Sequence, residues 1–225
     1  MISLPLPDLG TILPKLGSTL INKWSQISPK EDAVQILYDL AAMTRYTEAV
    51  FGRKFPPCDD DSYHEYANYR NLSIEHRLLE YQGERFESVL PQNFSIEDSV
   101  EHCCLLVLLL YVNTSLWRGY PASSAIIHNM VRRLKEVLET VIGSEVAFKA
   151  TWTAHCDLFI WVLFTGAYCS QKQSEEGFFR DALRKTAAVL GLVSWEDARE
   201  LLMGFFFVER VHLNVLKEIW RFPIE

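Results

Sequence analysis

Glycine and proline are scarce in this chain, with 10 and 9 among 225 residues, whereas the two together average roughly 12% of a protein. Because these residues interrupt regular elements, their scarcity leaves room for long helices. No run of alternating apolar and polar residues is long enough to build a sheet. The 49% of hydrophobic residues excludes intrinsic disorder, since so much apolar surface favours folding.

Positive charge is also scarce, because 22 Lys and Arg face 29 Asp and Glu and leave a net charge of −7. Domains that neutralise DNA phosphates concentrate positive charge. The short basic cluster Arg132, Arg133 and Lys135 is interleaved with Glu136 and Glu139, as on a solvated helix face. The sequence therefore predicts no direct nucleic-acid binding by this chain.

The motifs of common enzymes and metal sites are missing. The five cysteines have no C-x-x-C spacing, which excludes the common zinc fingers and thiol redox motifs. The chain has no Gly-x-Ser-x-Gly turn for a nucleophile and no glycine-rich phosphate loop. We therefore expect no catalytic residue, no cofactor and no metal site.

Long apolar runs are missing as well. The N-terminal run 2–7 is broken by two prolines and does not resemble a secretory signal. The most apolar segments, residues 103–112 and 158–169, are shorter than the roughly 20 residues that cross a bilayer. We expect buried core helices, no membrane contact and an intracellular protein with reduced thiols.

What the sequence does contain is helical periodicity. Scattered prolines and glycines in residues 1–30 predict an irregular N-terminal arm that docks apolar side chains on the body. Capping boxes begin at Ser95 and Ser194, and Gly191 is placed as a C-terminal helix cap. Residues 31–225 are therefore predicted to form a single all-α, helical-bundle-like domain of roughly eight to ten helices.

One acidic segment could carry chemistry. The aspartates Asp59, Asp60 and Asp61, followed by Glu65, resemble the aspartate-rich motif with which all-α terpenoid synthases bind magnesium and a diphosphate. Here the aspartates follow two prolines in a predicted loop, and no second acidic motif is found. A solvated loop that caps the next helix is favoured, and an all-α enzyme that uses Asp60 and Asp61 stays as the alternative.

A second set of candidates comprises His102, Cys103 and Cys104 on one predicted helix with His155 and Cys156 on another. These side chains could meet as a metal site or a Cys/His pair. Adjacent positions on a helix point about 100° apart, so the two neighbouring cysteines do not easily face one metal. Packing is favoured, because a buried cysteine behaves as a small hydrophobe.

The aromatic cluster Phe205–Phe207 lies in what the pattern predicts to be one long last helix, from Ser194 to Trp220. Three consecutive residues cannot share one helix face, so something must cover the faces beyond the main stripe. Core packing is the favoured interpretation. An exposed patch or pocket wall for a ligand or partner is the alternative.

Three segments carry a family resemblance. They are residues 101–121, with the phrase Tyr-Val-Asn-Thr, residues 158–166, which read Leu-Phe-Ile-Trp-Val-Leu-Phe-Thr-Gly, and residues 178–202 with their continuation to Trp220. In this order they cover about half the chain. They resemble the regulatory domain of fungal binuclear zinc cluster transcription factors.

The resemblance implies an all-helical, non-enzymatic regulatory domain in the nucleus, associated with the control of secondary metabolism. Protein partners, a homodimer or a small-molecule effector are the contacts that it implies. The six-cysteine zinc cluster of the family has no counterpart in these 225 residues. The chain is therefore expected to be a fragment, the product of a gene model that lacks its first exons, or a free-standing regulatory domain. A stand-alone ligand-binding helical module is a further alternative.

Overall fold

The computed structural model describes residues 11–28, 32–52, 60–86, 94–116, 124–142 and 155–221. Across these ranges it contains nine α-helices, one π-helical turn and no strand, which confirms the all-α prediction and its number of helices. The α-helices are α1 (Ser18–Ile27), α2 (Asp32–Phe51), α3 (Asp60–Phe86), α4 (Ile96–Tyr111), α5 (Ala125–Ile142), α6 (Cys156–Cys169), α7 (Glu176–Val189), α8 (Trp195–Leu202) and α9 (Glu209–Ile219). The π-helical turn, Val112–Leu116, continues α4.

Helix α4 forms the centre of the fold. It begins at the predicted capping box, in which the Asp98 N–H donates to the Ser95 Oγ at 3.0 Å and the Ser95 N–H donates to the Asp98 carboxylate at 3.2 Å. Every side chain from Val100 to Val112 is buried, because α1, α3, α5 and α6 pack around the helix. The prediction that neighbours enclose residues 103–112 is confirmed.

The predicted length of this apolar segment needs correction. Together with the π-helical turn, residues Glu97–Leu116 form a helix of 20 residues that is long and apolar enough, by length and composition, to cross a membrane. Its most apolar window is 94% buried inside the protein. A helix that is apolar on all sides is equally typical of the core of a larger domain, and the packing around α4 is of that kind.

The N-terminal arm is more regular than predicted. Residues 18–27 form α1, so an irregular conformation is wrong for this part of the arm. Trp24 of α1 is completely buried, and the Lys23 Nζ donates to the Asp157 carboxylate at the start of α6 at 2.5 Å. These contacts explain the helix, because docking one apolar face on the body stabilises a segment too short to be helical alone. Residues 1–10 and 29–31 lie outside the described residues, and the division into arm and domain stays a prediction.

Helices α6 and α7 form a close pair that depends on a glycine. A Cβ atom at Gly166 of α6 would lie 2.3 Å from the Phe179 ring of α7, so only glycine allows this approach. The predicted cap at Gly191 is confirmed: its φ is +67°, and the Leu192 N–H donates to the Ala187 carbonyl at 2.9 Å.

The predicted long last helix is wrong, because the chain forms two helices, α8 and α9, with a non-helical connection at residues 203–208. The predicted capping box at Ser194 does begin α8. The connection bonds to the start of α1 instead of continuing the helix. The N–H groups of Gly17 and Thr19 donate to the carbonyls of Phe205 and Gly204 at 3.1 and 2.9 Å.

Candidate functional site

The predicted aspartate site lies at the start of α3. Asp59 is outside the described residues, whereas Asp60 and Asp61 begin the helix, so the predicted loop is wrong for these two residues. Glu65 follows on α3 and is exposed. In the part of the chain that the structure describes, no group of three or more His, Cys, Asp or Glu side chains is able to hold a metal. The side chains of Asp60 and Asp61 lie outside the described part of the chain, so the alternative of a magnesium site here stays a prediction.

The cysteines and the histidine of α4 pack in the core. Cys103 and Cys104 are fully buried, and burial raises the pKa of both thiols, which keeps them protonated and unreactive. The His102 ring stacks on Phe86 with a centroid distance of 4.6 Å. Burial, with the charge of Arg133 as a second cause, lowers the pKa of His102 to about 4.

The two candidates of α6 lie at the beginning of that helix. His155 is its N-cap residue, Cys156 is its first residue, and both are partly buried. Burial lowers the pKa of His155, and the nearby charge of Lys23 lowers it further. In the described part of the chain, these two side chains belong to no group of three or more His, Cys, Asp or Glu that could hold a metal.

The aromatic cluster Phe205–Phe207 is core, which confirms the favoured interpretation. All three side chains are buried, although they lie in the connection between α8 and α9 rather than on a helix. Their rings meet Trp161, Tyr111 and Phe164, with centroids 5.4 to 5.6 Å apart. The turns and bends of this connection let consecutive side chains point to different parts of the core, which a helix would not allow.

A buried polar pair at the C-terminal end of α4 was not predicted from the sequence. The Ser115 Oγ, in the π-helical turn, lies 2.9 Å from the His212 Nε2 of α9. The Val208 backbone N–H donates to the His212 Nδ1, also at 2.9 Å. Short π-helical turns recur at functional sites in proteins, which makes this pair a candidate for chemistry.

The protonation of His212 decides what the pair can do. Because Nδ1 accepts the Val208 N–H, the proton of the neutral ring is on Nε2 and is donated to Ser115. Burial, followed by the charge of Arg210, lowers the pKa of His212 to about 3, so the ring is neutral at physiological pH. A ring in this tautomer cannot accept the serine proton, and the pair lacks the arrangement of a nucleophile and its base.

A second buried polar cluster, the Glu101 network, lies near the N-terminal end of α4. Glu101 is 1% exposed, and it accepts hydrogen bonds from the Tyr81 Oη at 2.6 Å and the Arg85 Nη2 at 2.9 Å. The Ser28 Oγ lies 2.7 Å from the same Tyr81 Oη, so the network of these four residues joins the end of α1 to α3 and α4. The sequence signal that could have revealed it is one acidic residue next to the apolar run 103–112.

An open cavity of about 350 Å³ lies between α2 and α3, and we name it the α2–α3 groove. Its lining residues are Gln35, Ile36, Arg77, Glu80, Tyr81 and Glu84. The Arg77 Nη2 donates to the Asp39 carboxylate at 2.6 Å, and the Arg70 Nη2 lies 3.8 Å from the same carboxylate, so two cations share one anion beside the groove. Tyr81 belongs to both the groove and the Glu101 network.

Comparison with known proteins adds the family. The model of the fungal specific transcription factor domain matches residues 34–204 of the chain. No curated protein and no solved structure matches. The matched residues include most of α2 and all of α3 to α8. They also include the buried polar residues at both ends of α4, apart from Ser28 and His212, which lie outside the match. Because the match covers well over half of the chain, this protein belongs to the fungal specific transcription factor domain family.

Proposed function

We propose that this chain is the regulatory domain of a transcription factor, acting in the nucleus through protein partners, a second copy of itself or a small-molecule effector, and that it catalyses no reaction. The observation that carries the proposal is the family match over residues 34–204. The net charge of −7 supports a regulatory role over contact with DNA phosphates for these residues.

The chemistry of the buried groups supports the non-enzymatic part of the proposal. The Ser115–His212 pair is held in the tautomer that donates to serine, and the thiols of Cys103 and Cys104 are kept protonated by burial. The polar side chains around α4 connect helices to one another. Their described hydrogen bonds join α4 or its π-helical turn to α2, α3, α6 and α9.

A tethering experiment tests the regulatory role. The full chain is fused to a DNA-binding domain from an unrelated protein and placed upstream of a reporter gene in yeast. We expect reporter transcription to rise or fall several-fold relative to the DNA-binding domain alone. A Trp161→Asp variant, which puts a charge into the core, is expected to abolish the effect. An unchanged reporter, with the fusion present in the nucleus, would contradict the proposal.

The enzymatic alternative is tested on the same chain. We expect purified protein with magnesium and prenyl diphosphates to release no product, and the Asp60→Asn/Asp61→Asn variant to behave like the parent in the reporter assay. Turnover of a prenyl diphosphate that is lost in this variant would establish the enzymatic alternative instead.

A further inference from the structure

The outward face of α3 carries a row of apolar side chains that is open to solvent. Tyr69, Leu72 and Leu79 are 73%, 49% and 49% exposed, and the side chain of His76, which lies between them, is 79% exposed. We name these four residues the α3 seam. Single apolar side chains on a surface are ordinary, whereas a contiguous group on one helix face indicates an interaction surface.

The spacing of the seam is that of a helix that packs against another helix. Its members follow one another at intervals of three, four and three residues, which is the pattern of the a and d positions in a coiled coil. The opposite face of α3 carries Ile74 and Leu78, which are buried in the core. Helix α3 therefore has a second face with the spacing of a helix–helix contact, and this face stays exposed in the described part of the chain.

The same spacing indicates which partner fits. The intervals are the same in both directions along the helix, so the seam is symmetric about residue 74. When two copies of α3 pack antiparallel about a two-fold axis at this position, Tyr69 of each copy is level with Leu79 of the other. Leu72 of each copy is then level with His76 of the other. An isologous dimer requires a surface that matches itself in this way.

The charges beside the seam favour the same arrangement. The Arg70 Nη2 lies 3.8 Å from the Asp39 carboxylate, which already accepts a hydrogen bond from Arg77 at 2.6 Å. Because these two cations share one anion, Arg70 can compensate a second carboxylate. Its side chain is 40% exposed and lies beside the seam, on the side of α2.

Glu80 is on the same side of the seam, since it lines the α2–α3 groove. In the antiparallel dimer this side of one copy faces the same side of the other, and Arg70 lies within about 3 Å, along the helix axis, of Glu80 of the second copy. Glu80 contacts the His76 Nδ1 of its own chain at 3.9 Å, but its side chain is 62% exposed and its carboxylate accepts hydrogen bonds from more than one donor. The dimer therefore brings two arginine–glutamate pairs together.

The area of the face fits a dimer of moderate affinity. From Glu65 to Glu84 the exposed residues of α3 span about 30 Å. Tyr38 of α2 is 54% exposed and extends the face onto the neighbouring helix, so the face is about 20 Å wide. Contact over this face buries roughly 600 Å² per copy and roughly 1,200 Å² in total, which is the lower limit for stable protein–protein interfaces.

We propose that this chain forms an antiparallel homodimer in which the α3 seams of two copies pack on each other and two Arg70–Glu80 ion pairs join the copies beside the seam. The inference deepens the proposed function, since it assigns the second copy named there to one surface. It rests on that function for the effect of dimerisation on transcription, whereas the dimer itself can be measured without it.

Sedimentation equilibrium of the full chain tests the dimer. We expect the mass to rise with concentration from 26.0 kDa to twice this value, with a dissociation constant on the order of 10 µM. His76→Leu is expected to tighten the dimer about tenfold, because a polar side chain at such a position costs stability.

A double variant locates the interface. Leu72→Glu/Leu79→Glu places like charges opposite one another in the paired seams and is expected to weaken the dimer about a hundredfold. Glutamate is a good helix former, so α3 should keep its helicity and the melting temperature should stay close to that of the parent. The control Ile126→Glu/Val189→Glu changes two apolar side chains on α5 and α7 that are 46% and 82% exposed, and it is expected to leave the dissociation constant unchanged.

Charge exchange tests the antiparallel arrangement. Arg70→Glu and Glu80→Arg each bring like charges together and are each expected to weaken the dimer about tenfold. An equimolar mixture of the two variants should restore the affinity of the parent, because one chain then carries both glutamates and the other carries both arginines. A mixture of Arg132→Glu with Glu136→Arg, which alters an exposed pair on α5, is the control and should dimerise like the parent.

Three results would contradict the proposal. A mass of 26.0 kDa at every concentration would exclude the dimer and assign the seam to a different partner. An undiminished dimer of Leu72→Glu/Leu79→Glu with the melting temperature of the parent would place the interface elsewhere. A mixture that is no tighter than the single charge variants would exclude the antiparallel arrangement.

The reporter assay separates this inference from the proposed function. A monomeric chain whose fusion changes reporter transcription would overturn the dimer and leave the proposed function. A dimeric chain whose fusion leaves the reporter unchanged would overturn the proposed function and leave the dimer.

Discussion

The two ends of the central helix bury polar side chains by different means. Near the N-terminal end, Glu101 is an ionisable group with 1% exposure and a cationic partner, Arg85. At the C-terminal end, Ser115 and His212 form a neutral pair that is bounded by aromatic rings, among them Tyr168 and Phe207 at 4.7 and 5.3 Å from the imidazole centroid.

The difference shows that access to solvent decides whether the buried polar side chains are charged or neutral. Arg85 keeps 27% of its side chain exposed, so this cation retains part of its hydration while it compensates the buried Glu101. Its hydrogen bond to Glu101 raises the pKa of Arg85, so it stays charged. His212 lies deeper and is stabilised in its neutral form, because full burial makes an imidazolium too costly there.

The largest effect is expected where the compensation of charge is removed. Arg85→Met leaves the Glu101 carboxylate buried beside Tyr81 without its cation, and it should lower the free energy of unfolding by about 3–5 kcal/mol. Urea unfolding at pH 7 measures the loss. The control Arg132→Met removes an exposed ion pair with Glu136 and should cost about 0–1 kcal/mol.

A double variant sharpens this test. If the cost of Arg85→Met comes from the uncompensated carboxylate, Arg85→Met/Glu101→Leu should recover a large part of it, because no buried charge is left. If Arg85→Met alone were as stable as Arg132→Met, the two ends of α4 would not differ in the way described.

The next effect depends on pH and belongs to His212. The pKa is about 3 in the folded state and about 6.5 in the unfolded chain, so between these values only the unfolded chain binds the proton. Stability that is present above pH 6.5 is therefore lost as the pH falls toward 3. Between pH 6 and pH 4, the parent should lose about 2–3 kcal/mol more than His212→Gln. Urea unfolding at the two pH values measures both losses of unfolding free energy. If the parent and His212→Gln lost the same amount between pH 6 and pH 4, a buried neutral imidazole would be refuted.

A smaller loss is expected at the other member of the neutral pair. Ser115→Ala leaves the His212 Nε2–H without an acceptor in the core and should cost about 1–3 kcal/mol. The control Ser18→Ala removes an exposed hydroxyl that bonds to the Lys15 carbonyl and should cost about 0.5 kcal/mol or less. Equal melting temperatures for the two variants would show that the buried pair contributes no more than a surface hydroxyl.

The smallest difference compares the two capping boxes. Asp98→Ala removes a cap that also touches Arg85 at 3.1 Å, and it should cost about 1 kcal/mol in urea unfolding. Asp197→Ala removes the equivalent carboxylate at the start of α8 and should cost less, since its described bonds go to Ser194 and Val193 at the same helix start. A larger loss for Asp197→Ala would exclude a contribution of the Arg85 contact.

Much of the secondary structure could be predicted because its determinants are local. The capping boxes at Ser95 and Ser194 and the helix end at Gly191 depend on residues within a few positions of each other. The enclosure of 103–112 follows from its composition. The break at residues 203–208 could not be read in the same way, since it depends on hydrogen bonds to residues near the other end of the chain.

The candidate site was predictable only in part. Packing was the favoured interpretation for Cys103 and Cys104, and their burial confirms it. The partners of Glu101 were not predictable, because Tyr81 and Arg85 lie on another helix. The partner of Ser115 is 97 residues away in the sequence.

The sequence by itself determined the helical class, the helix starts at its capping boxes and the family to which the chain belongs. Periodicity and caps act through contacts within a turn or two, so they can be read without the fold. The tertiary structure decided which polar side chains are buried together, where the last helix divides and that Tyr81 joins a groove to the core. Those features arise from contacts between distant segments, whose free energies exist only after the helices have packed.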